Sequence, residues 1–219
     1  MSKWAAEKAL VLETARRMVE KGLVIGKAGN VSMRLSGRRS LLAITPTSRY
    51  YDSLTPEDIP VIDFRCRAVE GNLPPSSEAD LHVGVYQRRP SVNAVIHTHS
   101  PYATVLAVAR LEIPPIVEDQ VVFLGGEVKV ARYAASGTRE LAANAVEALG
   151  EQNAVLLAGH GAIGVGRSLR EALAVGELLE KTAMVYFGTT LLGRANPLSA
   201  EAIAAAQQAF SRLQQSPDL

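Results

Sequence analysis

The sequence predicts one layered α/β/α domain spanning residues 1–219, built around a mixed sheet. Three observations carry that expectation. The 219 residues suffice for a single full core. Short apolar runs alternate with longer stretches of helical periodicity, without a strict strand–helix rhythm. No internal repeat or low-complexity linker divides the chain.

Residues 3–21 read as a helix, with Ser2 as N-cap, Gly22 as its stop, and Leu10, Val11, Ala15 and Met18 on one face. Short strands are expected at 31–34, 41–44 and 61–64, with a turn-rich stretch, Thr45 to Pro56, between the last two. A helix over 78–88 follows, with Ser76 or Ser77 able to cap it. Residues 92–97 form a strand, and Pro101 suits the first turn of the next helix. Strands at 128–131 and 154–157 flank a helix at about 138–149. Ser168-Leu-Arg-Glu171 is a capping box that opens a long helix to about residue 191. A last helix covers about 200–213.

Composition excludes several roles. The net charge is +1 and the charges are interspersed, so no basic groove for nucleic acid or basic face for a membrane is expected. The single cysteine, Cys66, rules out an internal disulfide and a cysteine-based zinc cluster. No apolar run approaches the roughly 18 residues that span a bilayer. The charged start, Met1-Ser-Lys-Trp-Ala-Ala-Glu-Lys, lacks a signal-peptide core. The expectation is a soluble cytoplasmic protein.

Three of the four histidines stand at strand ends. His97 and His99 close the apolar run that begins at Asn93, and His160 sits between Gly159 and Gly161 after a second run. Residues two apart on a strand share a face, so His97 and His99 can aim at one point if the strand continues through them, with Val95 on their side and Ala94 and Ile96 on the other. Three imidazoles leave a metal with an open position, the catalytic pattern for zinc. Without sulfur ligands Zn²⁺ is the first expectation, with Mn²⁺, Fe²⁺ or Co²⁺ as alternatives. His82, four residues after Glu78 on the same helix face, reads as a structural or supporting histidine.

Three loops offer hydroxyls or glycines to an anion. They are Pro74-Pro-Ser-Ser-Glu78 at a helix start, Gly26-Lys-Ala-Gly29-Asn30, and Thr45-Pro-Thr47-Ser48. Each alone is an ordinary turn or cap. None matches a nucleotide-binding fingerprint.

In their order along the chain, these segments resemble the class II aldolase/adducin family. The resemblance rests on Gly29-Asn30-Val-Ser32, Ile44-Thr-Pro-Thr47, Pro75-Ser-Ser-Glu78, Ala94-Val-Ile-His97-Thr-His99-Ser, Gly125-Gly126, Tyr133 through Ser136-Gly137-Thr138, and Gly159-His160-Gly161. It implies an α/β/α fold with a largely antiparallel mixed sheet, and a homotetramer with active sites between subunits. It makes His97, His99 and His160 zinc ligands, and Glu78 an acid/base carboxylate that also ligates the metal. It assigns Gly29, Asn30, Thr47, Ser48, Ser76 and Ser77 to the phosphate of a small phosphorylated sugar. The implied reaction is reversible cleavage of a ketose 1-phosphate to dihydroxyacetone phosphate and an aldehyde.

The chain departs from the family's aldolases in three places. Ser48 stands where glycine is usual. A His-Tyr pair is replaced within Pro115-Ile-Val-Glu118-Asp119-Gln120, which makes Glu118 or Asp119 the candidate second acid/base, acting on a neighbouring subunit's site. The tyrosine-bearing tail is absent from Gln215-Ser-Pro-Asp-Leu219. Other family activities therefore stay open: deoxyribulose-phosphate aldolase, pentulose-phosphate 4-epimerase, methylthioribulose-phosphate dehydratase and sugar-acid-phosphate decarboxylase. A non-catalytic adducin-like interaction domain is the alternative of another class, and one with no need for metal ligands.

Overall fold

A computed structural model describes residues 3–215. Ser2 and the tail after Gln215 lie outside the described residues. Eight strands form one sheet: β1 (Asn30–Leu35), β2 (Arg38–Ile44), β3 (Val61–Asp63), β4 (Ala68–Glu70), β5 (Ala94–Thr98), β6 (Val130–Ala131), β7 (Ala154–Leu157) and β8 (Gly161–Gly166). Their order across the sheet is β4-β3-β2-β1-β5-β8-β7-β6. Every pairing is antiparallel except β6 with β7. The sheet is thus mixed and largely antiparallel, as the resemblance implied.

Helices cover both faces. Helices α2 (Ala79–Arg88) and α4 (Arg139–Leu149) pack on one, through Leu81, Val85, Tyr86, Leu141 and Ala145 against Val95, Val155 and Ile163. Helix α1 (Ala5–Glu20) and the start of α5 (Leu169–Leu191) pack on the other, against Ala94 and Ile96. Helix α3 (Pro101–Ala109) lies on that second face beside α5. Helix α6 (Ala200–Gln215) follows last, and no described helix is long and apolar enough to cross a membrane. The alternation expected along residues 94–96 is therefore realised, with Val95 in one core and its two neighbours in the other.

Some local expectations need correction. Leu10 is exposed, and Leu12 takes the place expected of it beside Val11, Ala15 and Met18. The N-cap of α1 is Trp4, while Gly22 does follow its end in a left-handed conformation. Glu78, not Ser76 or Ser77, occupies the N-cap of α2, and its side chain points away from the helix. At α5, Ser168 Oγ accepts from the Glu171 amide at 3.2 Å, but Glu171 reaches back to the Arg167 amide instead of its own cap residue.

Two strands, β4 and β8, and a π-helical turn at Gln120–Leu124 were not expected. Strand β8 carries three glycines, which read as turn residues along the chain. The fold explains them. A Cβ at Gly166 would lie 2.6 Å from the Ala172 amide nitrogen of α5, so only glycine lets that helix sit on the strand.

Candidate active site

Strand β5 is central, flanked by β1 and β8, and it ends at Thr98. His97 lies in its last turns of the ladder, fully buried, beside Asn30 of β1 and Ile163 of β8. His99 follows just past the strand end. His160 fills the tight connection between β7 and β8. Gly161, the next residue, is required for close approach: a Cβ there would collide with the Thr98 carbonyl oxygen and sit 3.0 Å from the His99 ring. That contact brings the two loops together.

The three rings converge. His97 Nε2 lies 2.8 Å from His99 Nε2 and 3.2 Å from His160 Nε2. Glu78 reaches the same point from the start of α2, with Oε2 at 3.3 Å from His97 Nε2 and Oε1 at 3.4 Å from His160 Nε2. Metal–nitrogen bonds of 2.0–2.1 Å in a tetrahedral zinc site give ligand–ligand edges of ~3.3 Å. The observed edges fall near that value, so the three histidines could hold one divalent ion, with the Glu78 carboxylate beside it.

Protonation supports the same reading. His97 Nδ1 donates to the Ala162 carbonyl at 3.0 Å, which leaves the lone pair of Nε2 facing the other rings. Burial pushes the His97 imidazolium down to about 3, against the opposing pull of Glu78, so the ring is neutral near pH 7. A neutral Nε2 packed against two further ring nitrogens calls for a cation between them.

Burial alone would raise the Glu78 carboxyl. The neighbouring histidines and hydrogen bonds from Asn30 and Ser136 outweigh it and hold the group at about 2. Two hydrogen bonds fix the carboxylate in place. Asn30 Nδ2 donates to Oε2 at 2.9 Å, and Ser136 Oγ donates to Oε1 at 2.9 Å. Burial also keeps His82 neutral, lowering it to about 4. His82 supports the site from beneath, through Asn30.

The phosphate candidates gather beside this cluster. A main-chain ladder joins the two hydroxyl turns: Ser76 N donates to Thr45 O at 3.0 Å and Thr47 N to Pro74 O at 3.1 Å. Ser77 abuts Gly137, next to the hydroxyl of Ser136. Thr45 in turn bonds Val31, which brings Gly29 and Asn30 alongside. Ser77 and Ser48 are exposed, Thr47 and Gly29 are half-buried, and Ser76 is buried. The Asn30 side chain is committed to Glu78 and His82. Ser48 adopts φ +54°, the left-handed region that favours glycine, which is the residue the resemblance leads one to expect there.

Glu118 and Asp119 stand apart. Both are exposed and line a hollow of about 270 Å³ with Val117, Lys181, Thr182 and Val185. None of the four converging residues lines it. Sequence reasoning missed Ser136 as a partner of Glu78. Its only signal was a hydroxyl inside the Ser136-Gly137-Thr138 turn, one of the segments that carry the resemblance.

Fold and cluster together define an α/β/α scaffold whose three converging imidazoles could hold a divalent metal. The chain belongs to the class II aldolase family: residues 9–187 match the family described as Class II Aldolase and Adducin N-terminal domain. It is 36% identical over 201 residues to the L-fuculose phosphate aldolase of Escherichia coli K12, covering 91% of this chain and 92% of that one. It is 35% identical over 187 residues to the 5-deoxy-D-ribulose 1-phosphate aldolase of Bacillus thuringiensis serovar kurstaki, covering 85% and 87%. A solved L-fuculose 1-phosphate aldolase superposes with a TM-score of 0.90 at 34% identity, covering 96% of this chain and 98% of that one. The chain is accordingly a lyase of the aldolase type, in a metal-dependent family that acts on small phosphorylated sugars.

Proposed function

We propose that this protein is a zinc-dependent aldolase that reversibly cleaves the C3–C4 bond of a deoxyketose 1-phosphate, of the L-fuculose 1-phosphate kind, to dihydroxyacetone phosphate and a short aldehyde. The convergence of Glu78 with His97, His99 and His160 carries this reading. The three imidazoles and Glu78 would hold the metal, which supplies Lewis-acid polarisation of substrate oxygens. Thr47, Ser48, Ser76, Ser77 and the Gly29–Asn30 turn hold and orient the phosphate. Glu78, buried and fixed at both oxygens, moves the proton at C3. Glu118 or Asp119 of a neighbouring subunit handles the proton at the C4 hydroxyl, within a homotetramer.

The likeness to the Bacillus thuringiensis enzyme favours a second substrate of the same class, 5-deoxyribulose 1-phosphate. The two differ only in the aldehyde, lactaldehyde or acetaldehyde. The test is a panel of ketose 1-phosphates assayed for dihydroxyacetone phosphate, with the aldehyde identified in each case. Release from one or both supports the reading. Conversion without release of that product, by epimerisation, dehydration or decarboxylation, overturns it.

A further inference from the structure

Beneath Glu78, two rows of side chains interleave. On α2 the residues Glu78, His82 and Tyr86 recur every four positions and share one face. On β1, Asn30 and Ser32 recur every two and point at that face. Four helical residues rise ~6 Å. Two strand residues rise ~6.7 Å. The rows therefore stay in step, and each strand side chain falls between two helix side chains.

The result is a continuous buried chain of hydrogen bonds. Tyr86 OH lies 2.8 Å from Ser32 Oγ, and Ser32 Oγ lies 2.7 Å from His82 Nδ1. His82 Nε2 bonds Asn30 Oδ1, and Asn30 Nδ2 lies 2.9 Å from Glu78 Oε2. His82 and Ser32 are fully buried, and Tyr86 is 1% exposed.

The chain admits one polarity. Ionised Glu78 accepts only, so Asn30 presents its NH₂ to it and turns its carbonyl to His82. That carbonyl accepts only, so His82 carries its proton on Nε2. Its bare Nδ1 then takes the Ser32 hydroxyl proton, and the Tyr86 hydroxyl donates to the Ser32 carbonyl at 3.0 Å while lying against Ser32 Oγ. Reversing the Asn30 amide would place two acceptors face to face at Glu78 and require a new tautomer at His82.

We infer that His82 and Ser32, with Tyr86 behind them, are positioning residues that lock the Asn30 amide as a donor to Glu78. They act on the proposed acid/base carboxylate without touching substrate, so their effect on turnover rests on the aldolase reading. The polarity of the ladder, read as the His82 tautomer, does not. Supporting groups of this kind change activity by about 10–100-fold when removed.

The test uses protein carrying ¹⁵N-labelled histidine. NMR of the parent is expected to show His82 protonated on Nε2 alone at neutral pH. Ser32→Ala removes the donor to Nδ1, so the Asn30 carbonyl alone holds the Nε2 tautomer and the Nδ1 resonance is expected to shift. It should also lower kcat about 10–100-fold with little change in KM or metal content. His82→Leu should do the same, and His82→Gln, which can both donate to Asn30 and accept from Ser32, should recover most of the loss. An Nδ1-protonated His82 in the parent overturns the inference. So does a folded Ser32→Ala variant whose kcat stays within about threefold of an active parent. If no ketose phosphate is turned over by the parent, the aldolase reading fails and the tautomers alone decide the ladder. If a variant fails to fold, the parent tautomer decides.

Discussion

Asn30 Nδ2 donates to Glu78 Oε2 at 2.9 Å, joining the first residue of β1 to the residue that opens α2. With Ser136 on the other oxygen, the carboxylate is fixed at both ends before substrate arrives. Preorganisation of this kind removes a reorganisation cost from the proton-transfer step.

Glu78→Gln should therefore cost more than the charge alone. A glutamine can accept from only one of Asn30 and Ser136: with its oxygen on Asn30, its NH₂ faces Ser136 Oγ, whose hydroxyl must turn from donor to acceptor. The expected loss in kcat/KM for dihydroxyacetone phosphate release is on the order of 10²–10⁴-fold. Steady-state kinetics on protein with a native circular-dichroism spectrum checks it. A loss below about threefold would remove Glu78 from the chemistry.

Gly161→Ala tests the contact that brings the histidine loops together. The new methyl meets the Thr98 carbonyl and the His99 ring, so the β5–β8 connection must shift. Overpacking of this sort costs about 1–3 kcal/mol. Zinc affinity should fall together with stability, as read by competition with a chromophoric chelator and by urea unfolding. Unchanged zinc affinity would mean the site does not depend on this approach.

Burial lowers His82 to about 4, against the opposing charge of Glu78, from an ordinary value near 6.5. The unfolded chain binds that proton more readily, so stability from this residue is complete above about pH 6.5 and is lost as pH falls toward 4. The loss is on the order of 3 kcal/mol. Metal-free parent and metal-free His82→Gln should thus diverge, the parent losing more stability between pH 7 and pH 4.5 in urea titrations. Parallel pH profiles would contradict the assignment.

Ser48 holds a left-handed backbone that glycine adopts without strain. Relief of that strain, set against the extra freedom glycine gives the unfolded chain, leaves Ser48→Gly between neutral and about 1 kcal/mol more stable. Thermal unfolding measures it, and KM for the sugar phosphate reports whether the Ser48 hydroxyl touches phosphate. A loss of stability above about 1 kcal/mol would show that the hydroxyl makes a structural bond.

Much of this site was legible along the chain. His97 and His99 declared themselves through spacing on a strand, and the glycines around His160 marked a close approach. The i, i+4 relation of Glu78 and His82 was also visible. Its complement on β1 was not, because the register that sets Asn30 and Ser32 against α2 is a tertiary fact. Ser136 was hidden for the same reason, since it meets Glu78 across 58 residues of chain. Strand β8 was obscured by glycines whose purpose, the seating of α5, exists only in the packed fold. Glu118 and Asp119 were legible as a departure, and in their own chain they line a hollow that none of the histidines lines.

The central claim is that Glu78 and the three histidines hold one divalent metal on which cleavage depends. The direct measurement combines metal analysis of protein never exposed to chelator with dihydroxyacetone phosphate release from the ketose 1-phosphate panel. The release is followed before chelation, after it, and after Zn²⁺ is restored. The account predicts about one divalent ion per chain, loss of release on chelation, recovery with Zn²⁺, and neither binding nor release in His97→Ala. Release that continues in metal-free protein or in His97→Ala would contradict it.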